Sequence, residues 1–272
     1  MTSAIVVGAG LFGSIIARKL RLMGIETQLL NWKRAEAGST PAACLIKPSW
    51  VSGLGKDVVE PSMALLNELY GIEDISFKVG PIHQTVHWVN PLHILSEPSD
   101  NVNVLGVNPS GGLNTSDGYK TADIIVIAAG VWCNQMLPEP YKVPGLQGRL
   151  GMAFTWDGQI DEPFISPWAP YRQLVAFNRG PNEIWCGDGS AIKDGNWGLT
   201  NELASLARCQ KALGFEGREP KKRLLGARPY VPDAKPCYLK RYLPNLWVAT
   251  GGAKNGTLAA AWCAHQIGET YA

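Results

Sequence analysis

The sequence predicts an α/β protein in which a doubly wound parallel-sheet domain is interleaved with a smaller antiparallel one. Three observations lead there. The chain opens on a strand, a glycine turn and an amphipathic helix, "SAIVVGAGLFGSIIARKLRLMG". Two later segments, "ADIIVIAAG" and "NLWVATGG", are short continuous apolar runs ending in small residues, as strands buried on both faces do. Between these parallel-type pieces lie alternating segments bounded by proline and glycine, the pattern of antiparallel strands with one covered face.

In the first unit "SAIVV" is a β-branched strand. Ile15, Ile16, Leu20 and Met23 then line one helix face, Gly24 stops the helix, and "ETQLL" is the second strand. "SMALLNELYG" (62–71) predicts a helix entered after Pro61 and ended by Gly71. In "GPIHQTVHWVNP", Ile82, Gln84, Val86 and Trp88 alternate with His83, Thr85, His87 and Val89, so this is a strand of a different layer. Residues 111–120 form a hairpin tip before the strand "ADIIVIAAG". From 140 to 224 short strands ("GRLGMAFTW", "QLVAFN", "NEIWCGDG") precede a helix over 200–214. "NLWVATGG" and the helix "GTLAAAWCAHQIGETYA" end the chain. The expected division is 1–60, 97–139 and 225–272 for the dinucleotide domain, with 61–96 and 140–224 for the substrate domain.

Composition narrows the function classes. Apolar residues make up 46% of the 272, charged residues 18%, and the formal net charge is +2. A nucleic-acid partner would need a concentrated basic face, and the one tight run, Lys221-Lys222-Arg223, reads as a solvated turn. No apolar run reaches the ~18 residues of a membrane-spanning helix, and no leader pattern opens the chain, so the expectation is a cytoplasmic protein with no membrane partner. The six cysteines show neither C-x-x-C nor zinc spacing with a histidine, and are expected as reduced thiols. His83 and His87, four apart on a strand, lie ~13 Å from each other and cannot chelate one metal alone. His265 reads as a packed helix histidine. Trp50, Trp88, Trp168 and Tyr171 stand in segments that could wall a pocket.

Gly8-x-Gly10-x-x-Gly13 follows a strand and opens a helix, the Rossmann-type context that gives this pattern meaning. Gly8 permits the tight turn, Gly10 lets a pyrophosphate approach the backbone around Leu11 and Phe12, and Gly13 lets helix and strand pack closely. The second strand should then end in an acidic residue for the ribose hydroxyls. It ends instead in Asn31-Trp32-Lys33-Arg34, where Asn31 offers a neutral contact and the Lys33–Arg34 pair suits the 2′-phosphate of NADP. This stretch leaves FAD and NADP both open.

Three later segments bear on the choice. "TADIIVIAAGVWCNQM", with Ala129, Gly130 and Trp132, is similar to the late strand and turn that lie over FAD in flavoproteins with two dinucleotide-binding motifs. "LLGARPYVPDAKPCYL" followed by "NLWVATGGAKNGTLAAAWCAHQI" resembles the C-terminal signature of the D-amino-acid oxidase family, nearest its glycine oxidase branch. "VPGLQGRLGMAF" and "AGSTPAACLIKPSW" resemble that family's interdomain strand and the stretch that passes along the flavin. The resemblance implies a Rossmann-type FAD-binding domain with a substrate domain, and non-covalent FAD. It implies oxidation of the C–N bond of an amino acid or secondary amine by hydride transfer to flavin N5. Oxygen or another acceptor would reoxidise the flavin. It places Arg228 on the substrate carboxylate and Lys254 near flavin and pocket. Gly252, Ala253, Asn255, Gly256 and Thr257 fall at a helix N-terminus facing the flavin, and Ala43, Cys44 and Leu45 beside the isoalloxazine. The chain is shorter than most members of that family. This keeps a non-catalytic FAD-binding protein with a reduced substrate domain as an alternative, beside the NADP-dependent reductase using Lys33 and Arg34. A flavin domain acting on tRNA is disfavoured by the near-neutral charge.

Overall fold

The computed structural model describes residues 1–31, 37–169, 172–190, 192–193 and 199–272. The opening unit is β1 (Ser3–Val7), α1 (Leu11–Leu22) and β2 (Glu26–Leu30), the two strands parallel with Ser3 opposite Glu26. Ile15, Ile16 and Leu20 are buried on α1 and Gly24 turns the chain at φ +77°, as the apolar spacing requires. A strap then carries β3 (Leu45–Ile46), α2 (Pro48–Val51) and α3 (Lys56–Tyr70). The hairpin β4 (Glu73–Val79) and β5 (Ile82–Trp88) follows, then α4 (Pro91–Leu95) and a small meander of β6 (Val104–Val107), β7 (Leu113–Thr115) and β8 (Gly118–Lys120). The fully buried β9 (Ile124–Ile127) leads into α5 (Cys133–Met136).

The next stretch is antiparallel. It comprises β10 (Gln147–Asp157), β11 (Phe164–Ala169), β12 (Arg172–Gly180), β13 (Glu183–Gly187), β14 (Ile192–Lys193), α6 (Leu199–Leu213) and β15 (Lys222–Tyr230). The chain closes with β16 (Tyr238–Leu243), β17 (Leu246–Thr250) and α7 (Gly256–Tyr271).

Two large sheets result. The first runs β16-β17-β9-β1-β2, parallel except for β16. One of its faces packs on α1, α3 and α7 through residues such as Ile15, Leu66 and Ala260; the other buries Leu30, Ile125 and Val248 against Val104, Leu113 and Met136. The second runs β14-β10-β13-β12-β11-β4-β5-β3, with β15 on the other side of β10. Alternation along β10 sends Ala153 to one core with Phe77, Trp88 and Phe177, and Met152, Phe154 and Trp156 to another with Leu206 and Cys209. Chain order reverses around β1, with β2 on one side and β9 on the other. In open α/β sheets that switch point, at the carboxyl ends of the strands, is where ligands bind.

The structure differs from several sequence expectations. The helix expected at 62–71 begins at Lys56 and contains Pro61. Proline costs a helix one hydrogen bond; Val58, Leu65, Leu66 and Leu69 repay it by packing into the core with α1 and α7. The expected boundary at 60 therefore falls inside one helix. Residues 225–230, expected with the dinucleotide unit, continue β15, which pairs along β10 from Lys222–Thr155 to Tyr230–Gln147. Lys221-Lys222-Arg223, expected as a turn, lead into and begin that strand, paired with Asp157, Glu183, Glu202 and Glu219. His265 is half-buried, 4.0 Å from Glu269, rather than packed in the core. No helix among the described residues is long and apolar enough to cross a membrane.

Gly13 is where the fold tolerates no side chain: a Cβ there would lie 1.7 Å from the Gly8 carbonyl oxygen. Gly13→Ala should therefore cost at least about 2 kcal/mol by overpacking, a fall of about 5 °C or more in thermal unfolding. Gly53→Ala, with nothing within 4 Å of its Cβ position, should stay within about 0.5 kcal/mol.

Candidate functional site

A cavity of about 860 Å³ lies between the switch point of the first sheet and the face of the second. At one end is the glycine turn. Gly8, at φ +106°, sits so close to the end of β9 that a Cβ would stand 2.5 Å from Ala128 O, and its N–H is bound to Leu30 O at 2.8 Å. Gly10 N-caps α1 without a side-chain cap of its own, and Ser39 Oγ accepts the Leu11 N–H at 2.9 Å. A Cβ on Gly10 would meet that hydroxyl at 2.8 Å, so backbone amides, a helix N-terminus and a serine hydroxyl share one cradle. Asn31 and Leu95 line the cavity nearby. The Asn31 N–H donates to Asp100 O, while its carboxamide makes no hydrogen bond among the described residues.

The strap crosses from this end to the second sheet by close backbone approach. Ala37 bridges Ala227, a Cβ on Gly38 would be 2.4 Å from Ala227 O, and one on Gly226 would be 2.7 Å from Pro41. This lays Ala43, Cys44 and Leu45 along the cavity, with Cys44 at φ +54°. Facing them are Gly252–Thr257, where Ala253–Asn255 form a single 3-10 turn and no side chain caps the first turn of α7. Burial pushes the Cys44 thiol up to about 12, against a smaller opposing hydrogen bond with Thr257.

The wall from the second sheet holds the charged groups. Arg228 extends over Gly151, where a Cβ would be 3.0 Å from Nη2. Burial pulls its guanidinium below the ordinary value, against the weaker field of Asp188. That carboxylate is already committed: Asp188 Oδ1 accepts the Ser190 N–H, and Oδ2 accepts the Ser190 hydroxyl and Arg208 Nε at 2.7 Å. Lys254 is lowered by desolvation first and then by Arg228, Arg172 and Arg149. Trp50 Nε1 donates to Gln173 Oε1 at 3.0 Å, which leaves the Gln173 amide nitrogen as a donor. Met152, Val175 and Trp185 supply apolar surface.

Of the residues singled out from sequence, the cavity brings together Gly8, Gly10, Leu11, Phe12, Asn31, Ala43, Cys44, Leu45, Ala129, Gly130, Trp132, Arg228 and Gly252–Thr257. Gly13 is not in its wall and acts in packing. Trp32, Lys33, Arg34 and Tyr171 lie outside the described residues. Trp50 lines the cavity; Trp88 instead binds Ala43 O from within the core, and Trp168 donates to Asp188 O. Sequence reasoning missed Ser39, Arg172, Gln173 and Trp185. Only Ser39 carried a local signal, in the small-residue run before Ala43. His83 faces Glu162 at 3.3 Å and His87 faces Asp74 at 2.6 Å, and no cluster of three metal-ligating side chains occurs among the described residues.

Comparison with known proteins follows the same lines. The family described as "FAD dependent oxidoreductase" (DAO) matches residues 97–270. No curated protein sequence matches the chain. Among solved structures, glycine oxidase from Bacillus cereus aligns at TM-score 0.74 and 15% identity, covering 99% of this chain and 94% of that one. L-proline dehydrogenase from P. horikoshii aligns at 0.73 and 15%, covering 99% and 93%. Iminodiacetate oxidase from Chelativorans aligns at 0.70 and 14%, covering 98% and 95%. At these identities the likeness is one of fold.

Two outcomes test the site. Ser39→Ala removes the acceptor at the start of α1, worth about 1 kcal/mol of stability, and should lower the midpoint of thermal unfolding of the apoprotein by about 2–4 °C. All six cysteines are buried. A thiol reagent should therefore find less than one equivalent in the native protein and six after denaturation.

Proposed function

The chain belongs to the DAO family of FAD-dependent oxidoreductases, and on that premise we propose that it oxidises the carbon–nitrogen bond of a small amino acid or secondary amine. FAD is the cofactor of that family, so the nicotinamide reading of Lys33 and Arg34 is dropped. The residues present suit FAD. The Gly10 cradle with Leu11 N–H and Ser39 would take the pyrophosphate, Asn31 the adenosine ribose, and the strap Ala43–Leu45 with Gly252–Thr257 the isoalloxazine. No thiol is poised to attach it, since the Cys44 thiol is held neutral by burial, and non-covalent binding is part of the proposal. We also assign 1–70, 97–139 and 231–272 to the cofactor unit and the remainder to the substrate unit, the sequence-based division adjusted for α3 and β15.

The observation that carries the reading is Arg228: a desolvated guanidinium in the cavity wall with no carboxylate of its own among the described residues. A planar guanidinium offers two parallel N–H donors to a carboxylate, which fixes the α-carbon of a substrate against the strap and α7. Three of the solved structures that share the fold are named for glycine, L-proline and iminodiacetate, each an amine bearing a carboxylate. When bound, FAD supplies the two-electron acceptor, flavin N5, for the hydride on the carbon beside nitrogen. The protein's part is binding, orientation and electrostatics. Lys254 and the uncapped first turn of α7 put positive potential where the flavin's pyrimidine edge would lie. The same cations disfavour a substrate ammonium and favour the neutral amine, whose lone pair assists loss of the hydride. Met152, Val175 and Trp185 exclude water from the reacting carbon.

The test is anaerobic addition of amino acids and secondary amines to the FAD-loaded protein, following the visible flavin absorption. At least one amine class should bleach it. Arg228→Ala should retain FAD and raise the half-saturating concentration of a carboxylate substrate about 100-fold, the ~3 kcal/mol of a lost buried charge partner. Loss of FAD in that variant, or no bleaching by any amine, would overturn the reading.

A further inference from the structure

The described residues that line the cavity include three charged side chains, Arg172, Arg228 and Lys254, and all three are cations. Beside Arg228 on the same face of the sheet, Arg149 is its cross-strand partner on β10. Like charges facing each other across an antiparallel pair are destabilising, so this pairing costs stability unless a ligand neutralises it. Arg149 stacks on Tyr230 with its guanidinium carbon 3.5 Å from the ring centroid, and its Nε is buried without a hydrogen-bond partner. The nearest buried acid, Asp188, is saturated by Arg208 and Ser190. Arg172 forms no ion pair with any described residue and rests beside Trp168, 5.5 Å from its ring. Gln173, the next residue of β12 and so on its opposite face, also lines the cavity, with its Oε1 taken by Trp50. This end of the cavity is therefore a wall of donors with no described carboxylate to balance it.

Charge accounting shows what is left over. The phosphates of FAD fall to the α1 cradle at the other end, Lys254 answers the flavin, and Arg228 answers one substrate carboxylate. Arg172 then remains without an acceptor among the described residues. We infer that the substrate carries a second carboxylate, so that the protein acts on an amino- or imino-dicarboxylate, with Arg228 holding one acid group and Arg172 the other. This rests on the amine-oxidation reading above and narrows its substrate class. Arg172 is a specificity residue at the second acid group and takes no part in the hydride step.

Binding of unreactive acids to the FAD-loaded protein tests this without turnover, through the perturbation each causes in the visible flavin spectrum. Acetate and propionate are compared with malonate, succinate and glutarate at constant ionic strength. At least one dicarboxylate should bind ten or more times more tightly than either monocarboxylate. Arg172→Gln should reduce that ratio to threefold or less, and Arg172→Lys should recover part of it. Equal affinities of mono- and dicarboxylates in the unaltered protein, or a ratio that Arg172→Gln does not change, would overturn the inference while leaving amine oxidation standing. If no acid perturbs the spectrum, amines decide between the two ideas. Bleaching by monocarboxylic amines sinks the dicarboxylate inference alone, and bleaching by no amine sinks both.

Discussion

The site depends on one close approach of backbone to backbone. Between Ala37 and Pro41 the chain leaves the first sheet and lies on β15, where Gly38 and Gly226 have no side chains to hold the strands apart. Any Cβ at Gly38 would stand 2.4 Å from the Ala227 carbonyl oxygen, on a strand paired along β10. Because this contact is made, the strap continues as Ala43–Leu45 along the cavity, β3 joins the edge of the second sheet through β5, and Arg228 is set two residues beyond Gly226 on the strand the strap touches. The cavity is the space that this stitching leaves between two sheets with separate cores.

Its two ends are then electrostatically different for structural reasons. At the α1 end the positive potential comes from amides and a helix N-terminus, with no desolvated side-chain charge. At the β15 end it comes from side chains, with burial working against Arg228, and burial and the neighbouring arginines against Lys254. Such an arrangement is unstable alone and suits an anionic ligand. Asp188, whose field is felt by Arg228, is bonded instead to Arg208 of α6, itself 4.2 Å from the Trp168 ring. The surface of the second sheet thus keeps its cations available.

What the sequence made legible was local. The glycine turn, α1 and Gly24 follow from spacing within twenty residues, and the buried strands at 124–127 and 246–250 from unbroken apolar runs. The residues of the cavity wall could be named where a motif was contiguous, as at Gly8–Phe12 and Gly252–Thr257. Gln173 was not legible because its partner, Trp50, is far away in the chain, and Ser39 shows its role only once Leu11 is beside it. Arg172 and Trp185 have near neighbours in Trp168 and Phe177, but no motif marks their place in the cavity wall. Pro61 misled for a related reason. Its local cost is real, but the packing of α3 on α1 and α7 outweighs it. The placement of residues 225–230 was hidden likewise, since only pairing with β10 assigns them to the second sheet.

The account's central claim is that one cavity at the junction of the sheets seats the cofactor with its reactive face toward Arg228. A crystal structure of the FAD-loaded protein tests this most directly. The account predicts the adenosine beside Asn31 and Leu95, the pyrophosphate on Gly10, Leu11 and Ser39, and the isoalloxazine between Ala43–Leu45 and Gly252–Thr257, with Arg228 across its open face. FAD bound elsewhere, or bound in that cavity with Arg228 turned away and paired to Asp188, would contradict it.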